Sequence, residues 1–424
     1  LVEERTSNLR DDITLICERS NPEHFRLREM LTRAAQPHDW FEPGTPQAQE
    51  LLKDHPEDLE LPILIDGDTV MPGVTVESLI HDWKLDAPPQ KKHYDMAIVG
   101  AGPAGLAAAV YAASDGLSTV VFERAVPGGQ ASHTSMIENF FGFPEGISGA
   151  DLARLAGRQA EGFGAELSLF RGVEHGGPDG DTVKFKVAGN IEITSNVALS
   201  APGMDWRTID CDGMSELIGR GVYYGTGRSE AAQCANDDVV VIGAGNSAGQ
   251  AVLNLARATA RVTMLVRGPS LAKSMSQYLV DRIELNPLIT VHLESKISGL
   301  EADDGHLVGV SFETSDGKTF EQPARALFIC IGGQPHTGWA EETGVRTGKG
   351  GFILTGPDLI KDGNRPDGWR PDRDPLALET SLPGLFVAGD ARFGSIKRVG
   401  AAVGEGAMAV ALAHVRLEEL ARMA

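Results

Sequence analysis

A chain of 424 residues, 42% hydrophobic and 23% charged, has room for about two to four domains with ample apolar content for buried cores. Its formal charge of −21 argues against nucleic acid and against an anionic membrane surface as partners, while leaving a basic protein open. No apolar run is long enough to cross a bilayer, and Cys17, Cys211, Cys234 and Cys330 form neither a C-x-x-C nor a zinc-type spacing. No metal site is expected, and the thiol usage fits a reducing, cytoplasmic compartment. The chain opens on Leu1 rather than Met, which leaves a preceding segment open.

Residues 1–85 read as a unit of their own. Ile13 to Cys17 is a strand, and Asn21-Pro22 pairs an N-cap with proline at the first helical position. Leu27, Leu31 and Ala34 give the helix that follows one apolar stripe. Leu61 to Ile65, the Asp66-Gly67 turn and Thr69-Val70 read as a hairpin, and 76–85 is again amphipathic. This order resembles the thioredoxin/glutaredoxin fold, with Pro62 at the place of that family's cis-proline. The family carries its C-x-x-C after the first strand, where this chain reads Ser20-Asn21-Pro22-Glu23. The resemblance thus implies a thioredoxin-like domain without active-site thiols, used for docking or dimer contacts, followed by a linker at 86–92.

The next stretch is the most informative in the chain. Met96 to Val99 is a buried strand, Gly100, Gly102 and Gly105 supply G-x-G-x-x-G, and a small-residue helix leads to the strand Thr119 to Phe122. Glu123 ends that strand, about 20 positions beyond the last glycine. The first glycine permits the turn, the second lets a pyrophosphate approach the backbone, and the third lets helix and strand close-pack. The helix N-terminus faces the phosphates and the acid takes a ribose hydroxyl pair. Together they specify a dinucleotide site.

Further on, Pro127-Gly-Gly-Gln130 precedes Ile137-Glu-Asn-Phe140. Residues 151–170 predict a helix running into a strand, and the segments at Val173, Val183 to Val187 and Ile191 to Ile193 an antiparallel excursion. Val197 to Gly203 returns as an apolar strand. A second nucleotide motif then has strand Val239 to Ile242, glycines Gly243 and Gly245, Asn246, Ser247 and Ala248, and a helix through Leu255. Its second strand ends in Arg267, with Lys273 nearby. A cation there suits the 2′-phosphate of NADP, where NAD would require a carboxylate; an ordinary solvated Arg is the competing reading. Ala326 to Ile331 is a further buried strand, 355–377 a long loop, Pro383 to Asp390 a strand ending in an acid, and 397–420 a helix.

Two nucleotide motifs, the second inserted within the first domain, resemble the low-molecular-weight thioredoxin reductase group of flavoproteins over about residues 93–424. The resemblance implies an α/β fold with two Rossmann-like domains: FAD-binding at 93–205 and 334–424, NAD(P)-binding at 206–333. It implies FAD contacts from Gly100, Gly102, Pro103, Ala104, Gly105, Glu123, Arg124, Gly129, Gln130, Asn139, Val173, Gly389, Asp390, Arg398 and Val399. The helix opening at Arg398-Val399 would present its N-terminal dipole to the flavin. NADPH contacts would come from Gly243, Gly245, Asn246, Ser247, Ala248, Arg267 and Lys273. A homodimer is the family's default.

Three departures qualify this. Gly225, Thr226, Gly227 and Arg228 stand where the family has its redox C-x-x-C, and the nearest thiol, Cys234, has no neighbour in sequence to pair with. A single cysteine cannot form the internal disulfide that relays electrons to thioredoxin. The family's run of phosphate-binding arginines shrinks to Arg267, with Lys273 beyond it, and Pro202 stands in a crossover strand where the family has Thr.

The leading expectation is therefore an FAD enzyme that takes hydride from NADPH and passes electrons to a non-dithiol protein or small-molecule acceptor. A second reading keeps FAD, treats the NADP domain as vestigial, and has a small organic substrate reduce the flavin near His133, Tyr223, Tyr224 or His336. A third is a non-catalytic flavoprotein sensor or scaffold.

Overall fold

The structure, a computed structural model, describes residues 10, 12–19, 21–225 and 234–423. The N-terminal unit runs β1 (Ile13–Ile16), α1 (Pro22–Arg33), β2 (His38–Phe41), α2 (Pro46–Leu52), β3 (Ile63–Asp66), β4 (Thr69–Met71) and α3 (Val76–Asp82). Its sheet order is β2-β1-β3-β4, with β1 parallel to β2 and antiparallel to β3. The Asn21 side chain caps α1 by accepting from the Glu23 amide at 3.0 Å, with Pro22 just inside. The β3–β4 hairpin forms as predicted, and the Leu61–Pro62 bond before it is cis. β2 and α2 were not expected; β2 has no fully buried residue, Asp39 being exposed and the other three half-buried, and it lacks a strong apolar pattern. Arg28 is fully buried beneath this sheet, donating to Cys17 Sγ and to the Glu18 and Arg19 carbonyls, with its guanidinium over the Trp40 ring.

The second unit begins with β5 (His93–Val99), α4 (Pro103–Ser114), β6 (Thr119–Phe122), α5 (Gly149–Gly162), β7 (Glu166–Ser168), β8 (Val173–Asp179), β9 (Thr182–Val187) and β10 (Ile191–Ser200). Two segments read separately in the sequence, 191–193 and 197–203, join in one continuous β10. Its first half pairs antiparallel with β9 and its second half parallel with β5. Polar Ser195 and Asn196 interrupt the apolar pattern at that join.

A short β11 (Met204–Trp206) leads out to β12 (Val222–Tyr224), β13 (Asp238–Ile242), α6 (Asn246–Leu255), β14 (Arg261–Leu265), α7 (Gln277–Glu284) and β15 (Ile289–His292). An antiparallel sheet of β16 (Ser295–Asp303), β17 (His306–Thr314) and β18 (Thr319–Pro323) follows, then β19 (Ala326–Ile329). The order β12-β19-β13-β14-β15 is parallel throughout, as expected of a sheet covered on both faces. β20 (Gly333–Pro335) returns antiparallel to β11. After α8 (Trp339–Thr343) and the long loop, β21 (Leu385–Val387) joins β10, and α9 (Val399–Met423) lies against α4. Alanine-rich α4 is buried on nearly all sides, so α9 must approach its backbone closely. A Cβ on Gly406 would stand 2.1 Å from the Ala104 carbonyl oxygen. Among the described residues, no helix is long and apolar enough to cross a membrane.

Candidate functional site

The first glycine loop has two crowded positions and one open one. At Gly100 the φ is +98°, and a Cβ would sit 2.3 Å from the Ala201 carbonyl oxygen; at Gly105 it would sit 1.9 Å from that of Gly100. At Gly102 it would meet nothing within 4 Å. Gly102 is also the N-cap of α4 and provides no side-chain cap, with Pro103 next and Ala104 behind it. The first-turn amides are therefore left for an external acceptor, and the helix dipole favours an anion there. Glu123 holds the loop from the side, accepting the Ala101 amide at 2.8 Å and the Ala125 amide at 3.0 Å. Gly128 donates to the Ala101 carbonyl at 2.7 Å, and a Cβ on Gly129 would lie 3.4 Å from Gly102 Cα. The two glycine turns thus pack directly against each other.

Gln130 reaches the Met204 carbonyl at 2.5 Å, and Arg124 reaches Asp205 at 3.2 Å. Both predicted residues thereby touch the crossover strand. Asn139 is exposed beyond this turn, and Val173, at the start of β8, packs on the core that contains Phe122.

Asp390 follows β21 and Gly389. Burial raises its carboxyl above the usual carboxylate range, with the Lys397 charge opposing and Glu405 reinforcing that shift. Among the described residues nothing hydrogen-bonds this carboxylate. Lys397 instead donates to the Asp390 carbonyl and to Ser395 Oγ, with its ammonium 4.4 Å from the centre of the Phe352 ring. Glu405 accepts the Gly389 amide at 2.7 Å and an Arg392 Nη2 hydrogen bond at 2.6 Å. Val399 begins α9 and Arg398 precedes it, exposed. Lys397 and Glu405 were missed in the sequence. A lone acid within the small-residue run Gly404-Glu405-Gly406 was the available signal.

The second loop repeats the arrangement. A Cβ on Gly243 would lie 2.3 Å from the Cys330 carbonyl oxygen, whereas at Gly245 it would be free. Gly245 caps α6 without a side chain, Ser247 is exposed on the first turn and Ala248 is buried. A strap crosses this end: Asn246 accepts the Ser276 amide at 2.7 Å, and Ser274 donates to the Ala244 carbonyl at 2.8 Å. Arg267 and Lys273 flank the strap, both exposed, and neither forms an ion pair among the described residues.

Between the two loops lies the crossover. His336 Nδ1 and Asp205 approach to 2.6 Å, joining β11 to the segment after β20. Burial favours a neutral Asp205, but the His336 and Arg124 contacts outweigh it and hold the carboxyl below its usual range. Gly225 follows β12; a Cβ there would meet His133 Cβ at 3.3 Å and the Trp206 ring at 3.6 Å. Trp206 stacks with Tyr224 at 6.4 Å, and Tyr223 stacks with Phe328 at 5.4 Å. Desolvation, reinforced by the Arg33 charge, lowers the His133 pKa to about 3, so its ring is neutral. Thr226, Gly227 and Arg228 lie outside the described residues. Among the described residues Cys17, Cys211, Cys234 and Cys330 form no disulfide, and no metal-binding group of three or more His, Cys, Asp or Glu occurs.

The open side of Gly102, the uncapped turn of α4 and the Asp390 carboxylate without a hydrogen-bond partner fit an extended dinucleotide bearing phosphates and hydroxyls. Comparison with known proteins agrees. The model of the pyridine nucleotide-disulphide oxidoreductase family matches residues 94–406. The chain is 32% identical to the thioredoxin reductase of Listeria monocytogenes over 332 residues, 78% of this chain and 96% of that protein. It is 32% identical to that of Bacillus subtilis over 333 residues, covering 78% and 97%. Lactococcus lactis thioredoxin reductase superposes with a TM-score of 0.67 at 29% identity, over 77% of this chain and 99% of the other. The chain belongs to the pyridine nucleotide-disulphide oxidoreductase family and is a thioredoxin reductase-like, FAD-dependent oxidoreductase whose cofactors are FAD and NADPH.

Proposed function

We propose that this enzyme takes electrons from NADPH and delivers them to an external acceptor without a cysteine relay. Bound FAD would supply the two-electron chemistry, and the chain's own residues bind, orient and shield. Gly102, the α4 amides and Gly129 would hold the diphosphate, Glu123 a ribose and Asp390 the ribityl chain. Gly245, the first turn of α6, Arg267 and Lys273 would hold NADPH. The boundaries 93–205 with 334–424, and 206–333, divide these two tasks. The observation that carries the reading is Gly225: just after β12 a residue without a side chain packs on His133 and Trp206, where a thiol relay would begin. The four cysteines are dispersed elsewhere along the chain.

The β2-β1-β3-β4 order of the N-terminal unit supports reading it as a thioredoxin-like domain, and the run Ser20-Asn21-Pro22-Glu23, without thiols, supports a docking task for it. A homodimer fits the apolar groove of about 480 Å³ between α4 and α5, with Tyr111, Leu155 and Phe163 exposed at its edges.

Anaerobic mixing of the flavin-loaded protein with NADPH tests the reading. Flavin absorbance falls at a rate that saturates with NADPH and more slowly with NADH, while thioredoxin disulfide accepts no electrons in steady state. No bleaching at millimolar NADPH would remove the NADPH half. Rapid thioredoxin reduction would remove the non-dithiol half.

A further inference from the structure

Helix α1 belongs to the N-terminal unit, yet one of its faces lies along the junction of the two nucleotide units. Phe25, Glu29 and Arg33 recur at four-residue intervals and share that face. Phe25 packs on Tyr223 of β12, with ring centroids 5.1 Å apart. Glu29 Oε1 lies 3.4 Å from His133 Nδ1. Arg33 Nε donates to Ser132 Oγ at 3.1 Å, and that hydroxyl donates to the Gly129 carbonyl at 2.7 Å. Val126, on the same loop, is part of the hydrophobic cluster that includes Leu27 and Leu31.

Arg33 is poorly satisfied for a cation in this position. Burial draws it below the usual guanidinium range, opposed by the nearby Glu29 and Glu123 and reinforced by Arg124. Among the described residues no carboxylate lies within ion-pair distance of it, and its one hydrogen bond is to a neutral hydroxyl. A partly buried guanidinium held by Nε alone, near Glu123 and the turn that packs on Gly102, is a binding group for an anion.

We propose that Arg33 is a binding residue of the FAD site, contributed by the N-terminal unit, and that its guanidinium supplies positive charge to the cofactor's diphosphate. The appended unit is then one wall of the flavin site. Arg33 holds the Gly129 turn through Ser132 and offers its remaining N–H groups to the phosphate oxygens. This rests on the FAD reading of the first glycine loop.

The test is titration of the full-length apoprotein with FAD, following fluorescence quenching at two ionic strengths. Arg33→Ala is expected to raise the FAD dissociation constant about tenfold or more and to flatten its salt dependence, because a screened charge contact is lost. Arg33→Lys should recover part of the affinity, and Arg26→Ala, an exposed residue off this face, should match the parent. If Arg33→Ala binds FAD with parental affinity and salt slope, the proposal is wrong and the unit is merely docked. Should Arg33→Ala not fold, Arg33→Gln, which keeps a long polar side chain without the charge, decides by the same criterion. A parent that binds no FAD would instead overturn the FAD reading itself.

Discussion

The Glu123 carboxylate accepts the Ala101 amide at 2.8 Å, tying the end of β6 to the first glycine loop. Its other oxygen accepts the Ala125 amide at 3.0 Å, so the acid is fixed at the mouth of the loop by two backbone donors. Glu123→Ala removes both contacts and the proposed ribose acceptor. The expected result is a chain that folds but binds FAD about tenfold more weakly or worse, as losing a charged hydrogen bond of about 1.5–3 kcal/mol implies. Flavin retained through gel filtration, with circular dichroism as the folding control, measures it.

Gly102 and Gly105 separate folding from binding. At Gly105 an added methyl group meets the Gly100 carbonyl at 1.9 Å, so Gly105→Ala should lose at least about 2–4 kcal/mol of stability. At Gly102 it meets no protein atom within 4 Å, so Gly102→Ala should melt like the parent while losing FAD. Thermal unfolding of the two apoproteins, set beside their FAD titrations, checks both halves.

His133 makes stability depend on pH in a definite direction. Its folded pKa of about 3 lies below the ordinary histidine value, first because it is desolvated and second because Arg33 is near; the Glu29 carboxylate does not reverse this. Between pH 6.5 and about 3 the unfolded chain holds a proton that the folded chain refuses. Stability therefore falls as pH drops through that window, by at most about 1.4 kcal/mol per pH unit from this group. His133→Gln should flatten that slope in denaturant unfolding between pH 6.5 and 4.5, with little change at pH 8. An unchanged slope would mean that His133 is solvated.

Arg267 and Lys273 are exposed cations at the second loop. Arg267→Ala should raise the half-saturating NADPH concentration for flavin reduction about tenfold and leave that for NADH within about twofold, since only NADPH carries the 2′-phosphate. Parallel losses with both nucleotides would show that Arg267 does not read that phosphate.

The cofactor loops were legible because their requirements are local. Gly100, Gly105 and Gly243 each accompany a backbone approach that a side chain would block, and such positions announce themselves as glycine. Strands β5, β6, β13 and β14 were legible because parallel strands covered on both faces are continuous apolar runs. What remained hidden depends on contacts between distant segments. The β16–β18 sheet alternates weakly with solvent, and β2 has no fully buried residue. Lys397 acts through a backbone carbonyl, which no motif encodes. The Phe25–Glu29–Arg33 face was not singled out in the sequence, because its partners, Tyr223, His133 and Ser132, are far away along the chain.

If the flavin is the enzyme's sole two-electron centre, anaerobic reductive titration counts it directly. One NADPH equivalent per bound FAD should complete the bleaching, and replacing all four cysteines should leave that end point where it is. An end point at two equivalents, falling to one when the cysteines are removed, would reveal a redox-active disulfide and contradict the account.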